Sequence, residues 1–324
     1  MPLLGESFVL HTCKPPVATL DAWLTATSSG SGNYGHLLLE AKQPGSVSLA
    51  AALRPYFESA HLDAREVFHG EAGLDLHPDA SSGAIDIQYP LCLPKAARHG
   101  IFGEALAGLV IESYPAVGGH KWTVPVFLFR YHADVEKYVF GLARDRTKTR
   151  QLWGRFGEDF IGISIGSDGV VQRIVAGEAK WRDPISKTKV EDLLLGSRTE
   201  EPTGSKKYVR KNDGIWRSLA SAQPVPHGLR QLQKILLERR PEEFAETILS
   251  IDKILALKGP RLVPRTDFVL LAGNSPAKRN PGEANVVQIS RPAECAASRD
   301  LQIAEVFLRD GDELIKNLYD TLWT

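Results

Sequence analysis

The stretch GEDFIGISIGSDGVVQRIVAGEAKWRD, residues 157–183, constrains this chain more than any other segment. Two runs of alternating apolar residues flank Asp168-Gly169, a strong signal for a β-hairpin with a two-residue turn. With those two residues as the turn, Ser167 faces Val170 and the numbers of paired residues sum to 337. Asp159 then lies directly across from Glu178 on one face of the ribbon, with Cβ atoms about 4.5–5.5 Å apart. Lys180, two residues beyond Glu178, emerges on that same face. Moving the turn by one residue preserves the shared face; only a bulge or an odd-length loop would separate the carboxylates.

Two carboxylates opposed on a pleated sheet repel unless something positive lies between them. A divalent cation meets that need, and hard oxygen ligands favour Mg²⁺, with Mn²⁺ as the alternative. An ammonium at position 180 can hold and polarise an attacking water and oppose charge developing on a phosphate.

The tripeptide Glu-Ala-Lys also occurs at residues 40–42, in HLLLEAKQPG. No acid is placed opposite it. The nearest upstream acid, Asp21, is separated from it by a Gly/Ser loop, so Glu40 and Lys42 read as structural. GSGNYG, residues 30–35, formally matches G-x-G-x-x-G, but a strand-like segment follows where a nucleotide site needs a helix, so it reads as a turn. No G-x-x-x-x-G-K-[ST] run is present, and with it goes any P-loop ATPase of the chain's own.

The remaining pattern is mixed α/β. A strand is expected at 36–42, and a helix at 48–60 interrupted near Pro55. Further expectations are a strand at 84–91, a helix from His99 stopped by Pro115, a buried strand at 123–131 and a helix just after it. Beyond the hairpin come a short helix ended by Gly196, a polar loop over 197–214, and helices near 226–239 and 241–258. Strands near 261–271, 285–290 and 301–308 and a closing helix from Gly311 complete the reading. Residues 1–95 form an N-terminal α/β region suited to partner docking, and 96–324 form the main core.

Lys plus Arg number 39 and Asp plus Glu 39, a formal net charge of zero. Phosphate neutralisation supplies most non-specific nucleic-acid affinity. Any such role therefore rests on local patches or on a partner that delivers the strand. Residues 142–156 hold five basic residues against one acid, and residues 180–217 hold ten against six. No apolar run approaches the roughly 20 residues of a membrane span. The N-terminus lacks the features of a signal peptide. Three scattered cysteines form no disulfide framework. These features together predict a cytoplasmic protein with no membrane association.

Asp159, then a hairpin, then Glu178-Ala179-Lys180 resembles the PD-(D/E)xK nuclease superfamily. The run from FGEALAGLVIE through GRFGEDFIGISI to VAGEAKWRD is similar, more specifically, to the HamA family, the nuclease subunits of Hachiman anti-phage systems. The resemblance covers roughly residues 99–195. It implies a restriction-endonuclease-like core with a central mixed sheet flanked by helices, plus the N-terminal extension. It further implies an Mg²⁺-dependent deoxyribonuclease working on DNA with a separate helicase/ATPase subunit in antiviral defence. Asp159, Glu178 and the Ala179 carbonyl would hold the metal, Lys180 would position water, and Glu104 on the preceding helix would complete the site. Gln231 or Gln233 would assist, as a downstream Gln does in some members. Two other readings fit the same residues: an inactive, partner-binding subunit of this fold, and a stand-alone sequence-specific restriction endonuclease.

Overall fold

A computed structural model of the chain describes residues 11, 13–74, 89–115, 117–127, 158–200, 208–211, 213–226, 228–256, 260–277, 282–295 and 298–323. In chain order the elements are α1 (Val17–Trp23), β1 (Leu24–Ser31), β2 (Tyr34–Ala41), α2 (Val47–Leu74) and α3 (Lys95–Ser113). β3 (Phe160–Ile165), β4 (Val171–Trp181), α4 (Lys187–Leu195), β5 (Arg198–Glu200), β6 (Tyr208–Arg210) and α5 (Ile215–Ser221) follow. α6 (Gly228–Arg239), α7 (Ala245–Leu255), β7 (Arg265–Asn274), β8 (Asp300–Leu308) and α8 (Gly311–Tyr319) complete the chain.

Six strands form one mixed sheet in the order β1-β2-β8-β7-β4-β3. The four central strands run parallel, and the outer hairpins β1/β2 and β3/β4 pair antiparallel. Side chains on alternate positions separate the two faces. One face carries Leu37, Leu39, Val175, Ala179, Phe268, Leu270, Ala304 and Val306, packed against α1, α2, α3 and α8. The other face is covered in two patches. Val269, Leu271, Ile303 and Phe307 pack under α4 and α5, while Ile161, Ile163, Val171 and Ile174 pack under α6 and α7. The class is therefore α/β, a mixed six-stranded sheet flanked by helices. The larger core joins Leu20, Phe57 and Phe102 to Phe268, Leu314 and Tyr319. Residues on both sides of position 95 thus share one core.

The β3/β4 turn is not the two-residue loop expected from Asp168-Gly169. Gly166 N–H donates to the Val170 carbonyl (3.0 Å) and Gly169 N–H to the Gly166 carbonyl (3.0 Å), so the loop is 167–169. Gly169 takes φ 77° there, a conformation that suits a residue with no Cβ. An odd-length loop by itself would place Asp159 and Glu178 on opposite faces. A second irregularity cancels it. Ile165 pairs with Val171 but Ser164 pairs with Arg173, leaving Gln172 as an extra residue. From Ser164↔Arg173 to Phe160↔Gly177 the ladder runs in the register that sums to 337.

Other expectations are corrected by packing. α2 runs unbroken through Pro55. A mid-helix proline costs about 3 kcal/mol, but Leu53, Tyr56, Phe57 and Ala60 beside it are fully buried and hold the helix on the core. Residues 198–200 and 208–210 form a small antiparallel ribbon inside the expected loop. Residues 285–290 form no strand. Val286 and Val287 instead give their N–H groups to the buried Glu305 carboxylate, both at 2.8 Å. Of the strand expected at 123–131, the described part makes a single bridge, Thr123 to Ile163. The expected strand at 84–91 lies almost wholly outside the described residues, as does the helix after 131.

Gly177 tests the register. A Cβ there would come within 2.1 Å of the Phe160 ring, which is itself buried between β4 and α3. Gly177→Ala is expected to lower the unfolding free energy by about 1–3 kcal/mol. Urea denaturation checks this, and an unchanged midpoint would contradict the pairing.

Candidate functional site

Asp159 shares its parity with Ile161 and Ile163, and Glu178 and Lys180 share theirs with Ile174. All six therefore belong to the face covered by α6 and α7. β3 begins opposite Gly177, so β4 runs on past it from Glu178 to Trp181. Asp159 sits at this step. Its N–H donates to the Gly177 carbonyl (2.8 Å), and its Oδ2 accepts from the Ala179 N–H at 2.8 Å. The same Oδ2 accepts from Lys180 Nζ at 3.0 Å, and Nζ also donates to Glu178 Oε2 at 2.6 Å. Three of the expected residues are thus brought together, with one ammonium between two carboxylates. The Asp159 side chain is only 2% exposed, whereas Glu178 and Lys180 are 23% and 26% exposed. They lie at the seam between the α4/α5 and α6/α7 patches.

Burial alone would lower the pKa of Lys180, but the Asp159 and Glu178 carboxylates outweigh it and raise the value above the ordinary 10.5. The group is an ammonium throughout the neutral range. It is a hydrogen-bond donor and a positive charge, not a base.

Ala179 has a backbone role here. A strand residue turns its N–H and C=O to the same side. The Ala179 N–H points to Asp159, so its carbonyl points to that same edge of β4, beyond the start of β3. Two carboxylates thus meet at the Lys180 ammonium, and the Ala179 carbonyl lies on the adjoining edge of β4. That donor set suits a small hard cation that retains several waters. Among the described residues, no group of three or more His, Cys, Asp or Glu converges as a metal site.

Glu104 stands on the helix that precedes the hairpin. It is buried on α3, 1% exposed, and α3 covers the face of β4 that carries Ala179 and Trp181. Its charge is felt by Tyr319 on α8, whose hydroxyl pKa is raised chiefly by burial. Gln233 donates to Asp252 Oδ1 and ties α6 to α7. In the first Glu-Ala-Lys, Lys42 Nζ donates to the Asp21 carbonyl at 2.5 Å.

A polar network beside the site was missed by sequence reasoning. Asp267 on β7 is 1% exposed and lies next to Ala176 on the site's face. It accepts from Arg265 Nε at 2.7 Å and Arg299 Nε at 3.0 Å. Arg265 also approaches Glu158 Oε1 at 3.6 Å, directly before Asp159. The Arg265-Thr266-Asp267 alternation was the available signal, but two residues of opposite charge on a strand are too common to identify a network.

Compared with known proteins, the chain matches no family model and no curated sequence. Among the described residues, no helix is long and apolar enough to cross a membrane.

The raised pKa of Lys180 has a defined pH signature. Stabilisation from the ion cluster is fully present below about pH 10.5 and is lost as pH rises through the higher folded-state value. Lys180→Met leaves two adjacent carboxylates, one of them buried, and is expected to cost about 1–3 kcal/mol at pH 7. The deficit should hold across neutral pH and shrink above pH 10.5, as the wild-type ammonium loses its proton. Urea unfolding of both proteins across pH checks the two limits; a deficit independent of pH would contradict the electrostatic account.

Proposed function

We propose that this chain is a metal-dependent DNA nuclease of the PD-(D/E)xK type, with a restriction-endonuclease-like core. Its role would be that of a sequence-nonspecific effector working with a separate helicase in anti-phage defence. The observation that carries this reading is the meeting of Asp159, Glu178 and Lys180 at the free end of β4. The mixed sheet flanked by helices is compatible with it. The defence role and the helicase partner rest on the sequence resemblance. Zero net charge and the absence of a P-loop agree with a subunit to which another protein delivers the strand.

In this reading Asp159 and Glu178 hold Mg²⁺ or Mn²⁺ with the Ala179 carbonyl. Such an ion would supply polarisation of a phosphate oxygen and a more acidic bound water. Asp159 is held in place by the Ala179 N–H before any cation arrives. Lys180 keeps its proton at neutral pH and donates hydrogen bonds to the attacking water or to a phosphate oxygen. Hydrolysis forms a bond from water oxygen to phosphorus and breaks the bond to the leaving ester oxygen. One proton leaves the water, and one is delivered to the leaving oxygen. Glu178, 23% exposed, lies open to solvent and to an incoming strand.

One observation favours a second reading. Lys180 already bonds to both carboxylates, as it would in an inactive, partner-binding subunit of the same fold. Calorimetric titration with Mn²⁺ separates the two. The nuclease reading expects binding by the wild type, loss of binding in Asp159→Asn, and a fall of about 10²–10⁴-fold in cleavage of linear DNA for Lys180→Ala. A wild type that neither takes up Mn²⁺ nor cuts DNA leaves the second reading.

A further inference from the structure

We propose that Arg182 binds a backbone phosphate of the DNA strand beside the Asp159–Glu178–Lys180 cluster, an inference that rests on the nuclease reading and extends it.

The β4–β7 ladder continues one residue past the end of β4, since the Arg182 N–H donates to the Ala272 carbonyl at 2.8 Å. Alternation therefore holds through this residue, and its side chain leaves the sheet on the face of Glu178 and Lys180. The two Cα atoms at 180 and 182 are separated by roughly 6.6 Å of strand. Because Arg182 turns its backbone groups toward β7, Trp181 turns its own the opposite way, as Ala179 does. The Trp181 carbonyl thus points to the edge where Asp159 accepts the Ala179 N–H. Arg182 Nη1 donates to that carbonyl at 2.8 Å, which carries the guanidinium toward the same open edge.

Partial burial without an ion pair sets Arg182 apart from the exposed lysines of its segment. In the basic segment 180–217, Lys180 meets two carboxylates and Lys187 meets Glu283. Arg198 and Arg210 both straddle Glu191 and Asp192. Arg182 pairs with no carboxylate among the described residues, and its one side-chain bond is to the neutral Trp181 carbonyl. A half-buried guanidinium without an anion is unfavourable unless a ligand supplies one. Its planar fork of donors matches two phosphate oxygens, a geometry that lysine does not reproduce. The phosphodiester that approaches Lys180 brings neighbouring phosphates on the same strand, and one of these is the anion that fits.

The test is binding without chemistry. Fluorescence anisotropy of a short labelled DNA duplex, in EDTA and across a salt series, compares wild type with Arg182→Ala, Arg182→Gln and Arg182→Lys. Arg182→Ala is expected to weaken binding about 5–10-fold and to reduce the slope of log K against log salt by about 0.9, one phosphate contact. Arg182→Gln keeps the side-chain stem and an N–H donor for the Trp181 carbonyl, so it reports on charge if the alanine variant folds poorly. It should show the same reduced slope. Arg182→Lys should keep the slope and lose part of the affinity. A folded Arg182→Ala or Arg182→Gln with unchanged affinity and slope overturns this proposal and leaves the nuclease reading standing. A wild type that neither binds nor cuts DNA overturns both.

Discussion

The Asp159 carboxylate is the contact on which the site depends. It sits where β3 has yet to begin and β4 is paired with β7 only, and it accepts both the Ala179 N–H and the Lys180 ammonium. The first bond closes the end of the ladder with a side chain in place of a backbone partner. The second brings the Lys180 ammonium, and through it Glu178, to the same point. A buried carboxylate is unfavourable unless its oxygens are satisfied. One group therefore completes the sheet edge and concentrates charge there. Removing it would leave an open strand end and a lysine bound to Glu178 alone.

The scaffold holds that point rigid on one side and accessible on the other. β4 lies between β7 and β3, and α3 covers its opposite face with Phe102, Ala105 and Leu109 fully buried. On the site's own face, the α4/α5 and α6/α7 pairs cover separate patches, and Glu178 and Lys180 lie between them. Below the site, Arg265, Asp267 and Arg299 join β7 to the segment before β8 and to the end of α5. Polar groups so deeply buried persist when every charge has a partner, and Asp267 has two.

Much of this was legible in the sequence because it depends on local alternation. The two apolar runs around the hairpin, the shared parity of Asp159, Glu178 and Lys180, and the capped helix over Lys187–Leu195 follow from neighbours in the chain. The agreement in register was reached by a different route from the one read. The loop has three residues and Gln172 is extra, and the two departures cancel. Alternation reports which residues share a face but not how the turn keeps them there.

By itself, the sequence determined the α/β class, the antiparallel hairpin and the common face of three charged side chains, because a period of two along a strand is local information. Only the tertiary structure decided that α2 continues through Pro55, that 285–290 clasps Glu305 instead of forming a strand, and that Arg182 forms no ion pair among the described residues. Those outcomes depend on which distant surfaces meet. Burial of Tyr56 and Phe57, or the partners available to Glu305, outweighs a local preference of a few kcal/mol.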